Sequence, residues 1–284
     1  MFEEEIKNEF RSEMTKIIKR SCPYTRGRRN KFPIEFYLDA IFLVLFRGFT
    51  WNDLKYYTKD ITPDAIRIKY TKWNNLGLFS RIHKIMLRRY NKEKPVKDLF
   101  MDSTILINQN CTENLGYCRK YKNKKTIKLN VIVDENKIPI SHEFIKSNIS
   151  DSQLIESTID SSIVNINGTY RNPVYLTADK GYINGPVEKE LKKRNILLNV
   201  PQRKQYTKNN KPAKNSTYKK KHLSSKKRKL LKERYVVEHG FNRLKKSFKR
   251  FGIIYDRTMS ALEGWFNISA SFMIFSILKK INNR

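Results

Sequence analysis

The sequence has little cysteine. Its 284 residues contain three cysteines, no Cys-x-x-Cys pair and four histidines, so no zinc site of the finger type is indicated. The odd set of Cys22, Cys111 and Cys118 predicts reduced thiols in an intracellular compartment. The N-terminus lacks a basic region followed by an apolar stretch, so we also expect no signal peptide.

Long apolar runs are missing as well. Residues 34–46 and 265–278 form apolar runs of 13 and 14 residues, whereas a membrane span needs about 20. The first run also carries Glu35 and Asp39. We therefore predict that both runs are buried core helices.

Acidic residues are scarce. The chain has 27 Asp and Glu against 59 Lys and Arg, a formal net charge of +32. Such self-repulsion is typical of proteins that bind a polyanion, and nucleic acid is the leading partner. Hydrophobic residues make up 39% and aromatic residues 12% of the chain, which predicts a folded core and excludes a disordered basic tail.

Residues 1–92 are predicted to form a small all-helical region, because no stretch of them alternates like a strand. Pro33 marks a helix start and Gly48 its end, and Thr62 followed by proline predicts a capped start of another helix.

The helix predicted over 64–73 carries Arg67, Lys69 and Lys72. With its neighbours it resembles a helix-turn-helix module whose basic helix enters a major groove. A packing domain with a solvated charged face accounts for the pattern equally well.

From residue 93 the pattern becomes that of a mixed α/β domain, predicted to span residues 93–284. Five strands are predicted, with a hairpin across 126–145 and helices between the later strands; the strands are 96–106, 126–133, 138–145, 173–179 and 196–201. One long helix is predicted from near Lys226 to about Phe251, and a last helix from Met259 to Ile281.

Three acidic residues stand where an α/β site would place them. Asp102 interrupts the first apolar strand, Asp179 ends the fourth at its carboxyl side, and Glu238 lies in a strongly basic helix. Taken singly, each acid also has a structural explanation. Asp102 can be a capped strand end, Asp179 a turn residue, and Glu238 the partner of Arg234 in an ion pair.

The spacing of residues on the basic helix supports a functional role for Glu238. Arg234, Glu238, Phe241 and Lys245 follow at i, i+4, i+7 and i+11, which places them on one helix face. On such a face the carboxylate can bind Mg²⁺, while the two cations beside it contact phosphate oxygens.

These segments resemble the catalytic motifs of insertion-sequence DDE transposases. The resemblance lies in LFMDSTIL around Asp102, LTADKGY around Asp179, and RYVVEHGFNRLK with Arg234, Glu238 and Lys245. The last segment fits a signature of Tyr, two residues, Arg, three residues, Glu, six residues and Lys, except that Leu231 occupies the tyrosine position.

The resemblance implies an RNase H-like sheet flanked by helices and an enzyme that cleaves DNA at element ends and joins them to target DNA. Asp102, Asp179 and Glu238 would hold two Mg²⁺ ions, with Mn²⁺ as a substitute, and Arg234 and Lys245 would assist catalysis. Its expected partners are double-stranded DNA, as terminal inverted repeats and target, and a second copy of the chain on that DNA.

A non-catalytic, repressor-like DNA-binding protein that keeps the transposase fold is the main alternative. The charge suits both, whereas the intact acidic triad favours the enzyme. An RNA-associated protein has less support, because no aromatic strand signature for base stacking is visible.

Much of the positive charge lies in one segment. Residues 203–250 contain 19 Lys and Arg against two acids. Residues 203–225 have few apolar side chains, so we expect a basic loop that is mobile in the free protein and lies along DNA phosphates when bound; a solvated loop is the alternative. The predicted DNA contacts are Lys125, Arg203, Lys204, Lys219, Lys220, Lys221 and Lys246.

Replacement of Lys219, Lys220 and Lys221 by alanine tests this prediction. Each phosphate contact contributes about 0.9 to the slope of log K against log salt, so the slope should flatten by up to about 2 to 3. Binding to specific and random duplexes should weaken alike. An unchanged slope on both duplexes would place the DNA path elsewhere.

Overall fold

The computed structural model describes residues 2–21, 32–108, 110–122, 124–201, 223–252 and 254–282. Within these ranges the α-helices are α1 Phe2–Ser21, α2 Ile34–Phe42, α3 Pro63–Asn75, α4 Leu78–Glu93, α5 Ile155–Asp160, α6 Gly185–Lys193, α7 Ser225–Lys232, α8 Tyr235–Ser247 and α9 Met259–Asn282. The strands are β1 Asp98–Leu106, β2 Gly116–Cys118, β3 Lys124–Asp134, β4 Pro139–Lys146, β5 Val174–Ala178 and β6 Ile196–Asn199.

The strands form one mixed sheet centred on β1. Strand β1 pairs antiparallel with β3 and parallel with β5. Strand β3 also pairs antiparallel with β4 and with the short β2, and β5 pairs parallel with β6. The order β4-β3-β1-β5-β6 is the RNase H-like arrangement, so the predicted fold class and the hairpin are confirmed. Strand β2 has no counterpart among the predicted strands.

Apolar residues alternate along β3, at Ile127, Leu129, Val131 and Val133, and such alternation is typical of a strand with one buried face. In the structure every residue from Thr126 to Asp134 is buried, so the strand is covered on both faces. Its second face carries Lys128 and Asn130, which an alternating pattern would assign to solvent.

The single helix predicted from near Lys226 to about Phe251 is wrong. Helix α7 ends at Lys232 and α8 begins at Tyr235, and Lys249–Phe251 is a separate 3-10 turn. Helix α7 packs on β5 and β6, whereas α8 packs on β1 and β3. Because neighbouring strands of a sheet are rotated relative to each other, one straight helix cannot follow both pairs.

The predicted helix boundaries in the N-terminal region agree with the structure. Thr62 Oγ1 accepts from the Ala65 N–H at 3.4 Å and α3 begins at Pro63. Gly48 ends the apolar helix, which closes in a π-helical turn at Leu43–Arg47, and has φ 74°. A Cβ at Gly48 would also lie 2.9 Å from Lys249 Cβ, so both conformation and space favour glycine here.

Helix α9 packs against both the N-terminal helices and the sheet. It packs against α1, α3 and α4 and also against β4, so one continuous apolar core contains residues of the helical region and of the sheet. Among the described residues, α9 is the one helix long and apolar enough to cross a membrane, and 72% of its most apolar window is buried inside the protein. The prediction of a buried core helix over 265–278 agrees with this burial. The domain boundary near residue 92 stays a prediction.

Helix α3 is the predicted basic helix. Ile66, Tyr70 and Trp73 form its buried face, while Arg67 and Lys72 are exposed. Lys72 and Arg67, the latter paired with the exposed Asp64, therefore lie at this surface, and entry into a DNA groove stays a prediction.

A buried ion pair lies within the connection between α8 and α9. The side chains of Arg250 and Asp256 are 2% and 5% exposed, and the guanidinium donates to both carboxylate oxygens at 2.9 and 3.0 Å. Trp265 Nε1 donates to the same carboxylate at 3.1 Å, and the Trp265 ring stacks on Tyr70 with centroids 4.2 Å apart. Through Trp265 this pair therefore connects the segment after α8 to α9 and to α3.

Asp256→Ala should lower the free energy of unfolding by about 3 to 5 kcal/mol, because it leaves the Arg250 charge buried without its partner. Asp64→Ala is the control, because it breaks an exposed pair with Arg67 and should cost no more than about 1 kcal/mol. Denaturant unfolding of both variants measures the difference. Equal losses would contradict a central role for the buried pair.

Candidate functional site

Two predicted acids lie side by side at one sheet edge. In the parallel pairing of β1 with β5, Met101 stands opposite Ala178, and the next residues along the two strands are Asp102 and Asp179. Neighbouring strands are about 4.8 Å apart. The fold therefore brings together two carboxylates that are 77 positions apart in the sequence.

Asp102 sits in a poorly solvated position. Burial raises the pKa of its carboxyl group from 3.8 to about 6, and the negative charges of Asp151 and Asp179 act in the same direction. The Ser103 N–H, which donates to Asp102 Oδ1 at 2.8 Å, and the charge of Arg234 oppose this rise. The carboxylate of Asp102 is thus costly to ionise unless a cation approaches it.

Asp179 is held by its own turn. It caps the 3-10 helix Lys180–Tyr182, and its Oδ1 accepts from the Lys180 N–H at 2.7 Å. Its side chain is partly buried, so one carboxylate oxygen is fixed while the group remains accessible.

Helix α8 lies on the sheet face that carries Asp102. Lys245 Nζ donates to Thr104 Oγ1 at 3.1 Å, and Thr104 is two residues from Asp102 on the same strand face. A Cβ at Gly240 would lie 3.4 Å from Val133 Cγ1, so the middle of α8 also contacts β3 closely. Partial burial lowers the pKa of Lys245.

The predicted helix face is kept in part. Phe241 is buried, Lys245 reaches β1, and Arg234, now the residue that precedes α8, stays close enough to affect the pKa of Asp102. Glu238 lies in the first turn of α8 and is exposed, where the helix dipole favours its negative charge.

Within the described parts of the chain, no group of three or more His, Cys, Asp or Glu side chains lies close enough to hold a metal ion. The predicted triad is thus not assembled as a finished site. Asp102 and Asp179 fit a divalent cation by chemistry, since they offer hard oxygen ligands and, among the described residues, no cation is hydrogen-bonded to the partly buried Asp102. Glu238 is carried on the helix that covers the same face.

The predicted DNA contacts fall into two groups. Lys125 on β3 and Lys246 on α8 are exposed, and Lys125 Nζ lies 5.9 Å from the ring centroid of the exposed Tyr117. The others lie outside the described residues: Arg203, Lys204, Lys219, Lys220 and Lys221. The same holds for the predicted loop at 203–225, apart from its last three residues.

A polar cluster next to the acids has no counterpart among the predicted site residues. Asp151 accepts hydrogen bonds from Ser103 and Lys128, and Tyr182 donates to Asn130 at 2.7 Å. The available signal was the pair of polar residues, Lys128 and Asn130, within the apolar strand β3. On a buried strand face, a lysine and an asparagine need hydrogen-bonding partners, which Asp151 and Tyr182 supply.

The RNase H-like sheet, with one aspartate within β1 and a second directly after the neighbouring β5, sets the class of fold. Residues 97–261 match the transposase DDE domain family. This match covers more than half of the chain, which therefore belongs to that family and is a transposase. Members of the family generally use divalent metal ions.

No curated protein sequence matches the chain. Among solved structures, a cryo-EM structure of the piggyBac transposase synaptic complex with hairpin DNA is similar to it, with a TM-score of 0.49 and 13% identity. The alignment covers 95% of this chain and 72% of that one. The family assignment rests on the sequence match over 97–261.

Asp102→Asn should stabilise the protein at high pH. A carboxyl group whose pKa is raised to about 6 in the folded state destabilises that state above pH 6. A shift of two pKa units corresponds to up to about 3 kcal/mol. The gain should be full near pH 8 and disappear as the pH falls through 6 toward 4, because the wild-type carboxyl group then becomes neutral.

Unfolding curves in EDTA at several pH values measure this gain. Asp64→Asn, which alters an exposed acid, serves as the control and should show no such dependence. A gain for Asp102→Asn that is independent of pH, or no gain at pH 8, would contradict the raised pKa of the Asp102 carboxyl group.

Proposed function

We propose that this transposase cleaves DNA at the ends of its element and transfers those ends into target DNA, using divalent metal ions bound by Asp102, Asp179 and Glu238. The observation that carries the proposal is the pairing of Met101 with Ala178. It sets two carboxylates next to each other, on a sheet covered by the helix that bears the third.

Asp102 and Asp179 would form the fixed half of the metal site. One is fixed within a strand and the other by the turn that follows a strand, so neither carboxylate needs a large movement to share a cation. Glu238 would complete the site from the exposed first turn of α8. Bound Mg²⁺ or Mn²⁺ would activate the attacking oxygen and stabilise the leaving oxygen of the phosphodiester.

The cations of the same region would contact the DNA backbone. Arg234 acts on the Asp102 carboxyl group in the free protein, and an incoming phosphate would offer it a second anionic partner. Lys245 is anchored to Thr104 and would present a point charge beside the acids. Exposed Lys125 and Lys246, together with the basic segment from Arg203, would hold the flanking duplex.

The repressor-like alternative has one observation in its favour, the exposed Glu238 in a site where no three described acids converge. A protein that only binds DNA would need none of the acids. The two functions are therefore separated by cleavage and by its dependence on metal.

Asp102→Ala, Asp179→Ala and Glu238→Ala should each abolish cleavage of duplex DNA that carries the flanks of the element, while DNA binding is kept. Double variants should lose no more than single ones, because ligands of one metal site act as a unit. Cleavage is measured on gels with Mg²⁺, Mn²⁺, Ca²⁺ or EDTA. Mg²⁺ and Mn²⁺ should support it, whereas Ca²⁺ should allow binding with little cleavage.

Glu188→Ala is the control, because Glu188 pairs with Lys192 on α6 and should be dispensable. Near-normal cleavage by any one of the three triad variants would remove that residue from the ligand set. Cleavage in EDTA would refute the metal mechanism. Binding without cleavage in wild-type protein under every metal condition would support the repressor-like alternative.

A further inference from the structure

A buried lysine lies in the sheet close to the two aspartates. The Lys128 side chain is 8% exposed, and its Nζ donates to Asp151 Oδ1 at 2.7 Å and to the Ile149 carbonyl oxygen at 2.6 Å. A buried ammonium group is costly unless it is paired and hydrogen-bonded. Lys128 is therefore committed to holding Asp151 and the loop before it.

Asp151 in turn contacts the strand that carries Asp102. Ser103 Oγ donates to Asp151 Oδ1 at 3.0 Å, while the Ser103 N–H donates to Asp102 Oδ1 at 2.8 Å. One residue thus bonds the Asp102 carboxylate with its backbone and Asp151 with its side chain. A displacement of Ser103 would move the Asp102 carboxylate with it.

The same cluster reaches the turn that follows Asp179. A Cβ at Gly181 would lie 3.5 Å from Asp151 Oδ2, so the turn packs directly on this carboxylate. The buried Tyr182 donates to Asn130 Oδ1 at 2.7 Å, and Asn130 lies opposite Ser103 in the β1–β3 pairing. Asp151 therefore contacts both segments that bear the proposed metal ligands.

We propose that Asp151, held by Lys128, is a positioning residue that fixes the Asp102 and Asp179 segments at the spacing a divalent cation needs, through its hydrogen bond to Ser103. The inference rests on the proposed function, since it takes both aspartates as metal ligands. Asp151 acts on the two aspartates through its Oδ1, which accepts from both Ser103 and Lys128, and is not counted among the ligands. Groups that orient metal ligands in this way typically change metal affinity by about 10- to 100-fold when they are removed.

The test measures binding of Mn²⁺ to the full chain without DNA, from the electron paramagnetic resonance signal of the free ion. Ser103→Ala should weaken binding by at least about 10-fold, whereas Ser103→Thr, which keeps the hydroxyl group, should bind nearly as the wild type does. Ser147→Ala is the matched control. Ser147 is a buried serine whose hydroxyl likewise donates one hydrogen bond, but to the Gly116 carbonyl oxygen away from the acids.

Two double variants isolate the hydrogen bond from the charge. Both Lys128→Met with Asp151→Asn and Lys128→Met with Asp151→Leu replace the ion pair by neutral side chains, a change that proteins often tolerate. Only the asparagine can still accept from Ser103. The asparagine variant should therefore keep Mn²⁺ binding within a few fold, and the leucine variant should lose at least about 10-fold. Thermal unfolding verifies that both are folded.

The outcomes separate this inference from the proposed function. If wild-type protein binds Mn²⁺, Asp102→Ala does not, and Ser103→Ala binds as wild type, the positioning role is refuted and the ligand assignment stands. Equal Mn²⁺ affinities of the two folded double variants would refute it too. If Asp102→Ala binds Mn²⁺ as tightly as wild type, or wild type does not bind it, the ligand assignment fails and the inference fails with it.

Discussion

The parallel register between β1 and β5 is the constraint on which the site depends. A shift of one residue in either strand would turn one aspartate to the opposite face of the sheet, because side chains alternate along a strand. The register places Met101 opposite Ala178, both buried, and so sets Asp102 beside Asp179 at the carboxyl edge. Burial of the preceding apolar residues thus offsets the repulsion between the two like charges.

The helices above the sheet follow from its twist. Because α7 packs on β5 and β6 and α8 on β1 and β3, the chain bends at Glu233–Arg234. The bend starts a new helix just before Glu238, which puts this acid in a first turn, where the helix dipole favours negative charge. It also brings Lys245 within 3.1 Å of Thr104, so the helix is fixed to β1 at its far end.

Charge is divided between two environments. Two ion pairs lie inside the described part of the protein, Arg250 with Asp256 and Lys128 with Asp151. The first lies within the connection between α8 and α9, and the second joins β3 to the turn before α5. Exposed lysines such as Lys125 and Lys246 form no comparable buried ion pair. The net charge of +32 is consequently a surface property, suited to a polyanionic partner, while the interior depends on a small number of directed contacts.

The sequence by itself determined the local features, because they depend on neighbouring residues. Five of the six described strands, the hairpin and the cap at Thr62 could be read from periodicity and turn chemistry. Strand position and motif spacing also singled out Asp102, Asp179 and Glu238, whose part in a metal site stays a prediction. Only the tertiary structure decided the bend at Arg234, the burial of Lys128 and the contacts of Asp151 with Ser103 and Lys128. The bend depends on sheet twist, and the other two depend on contacts between distant segments. A local sequence pattern encodes neither sheet twist nor long-range contacts.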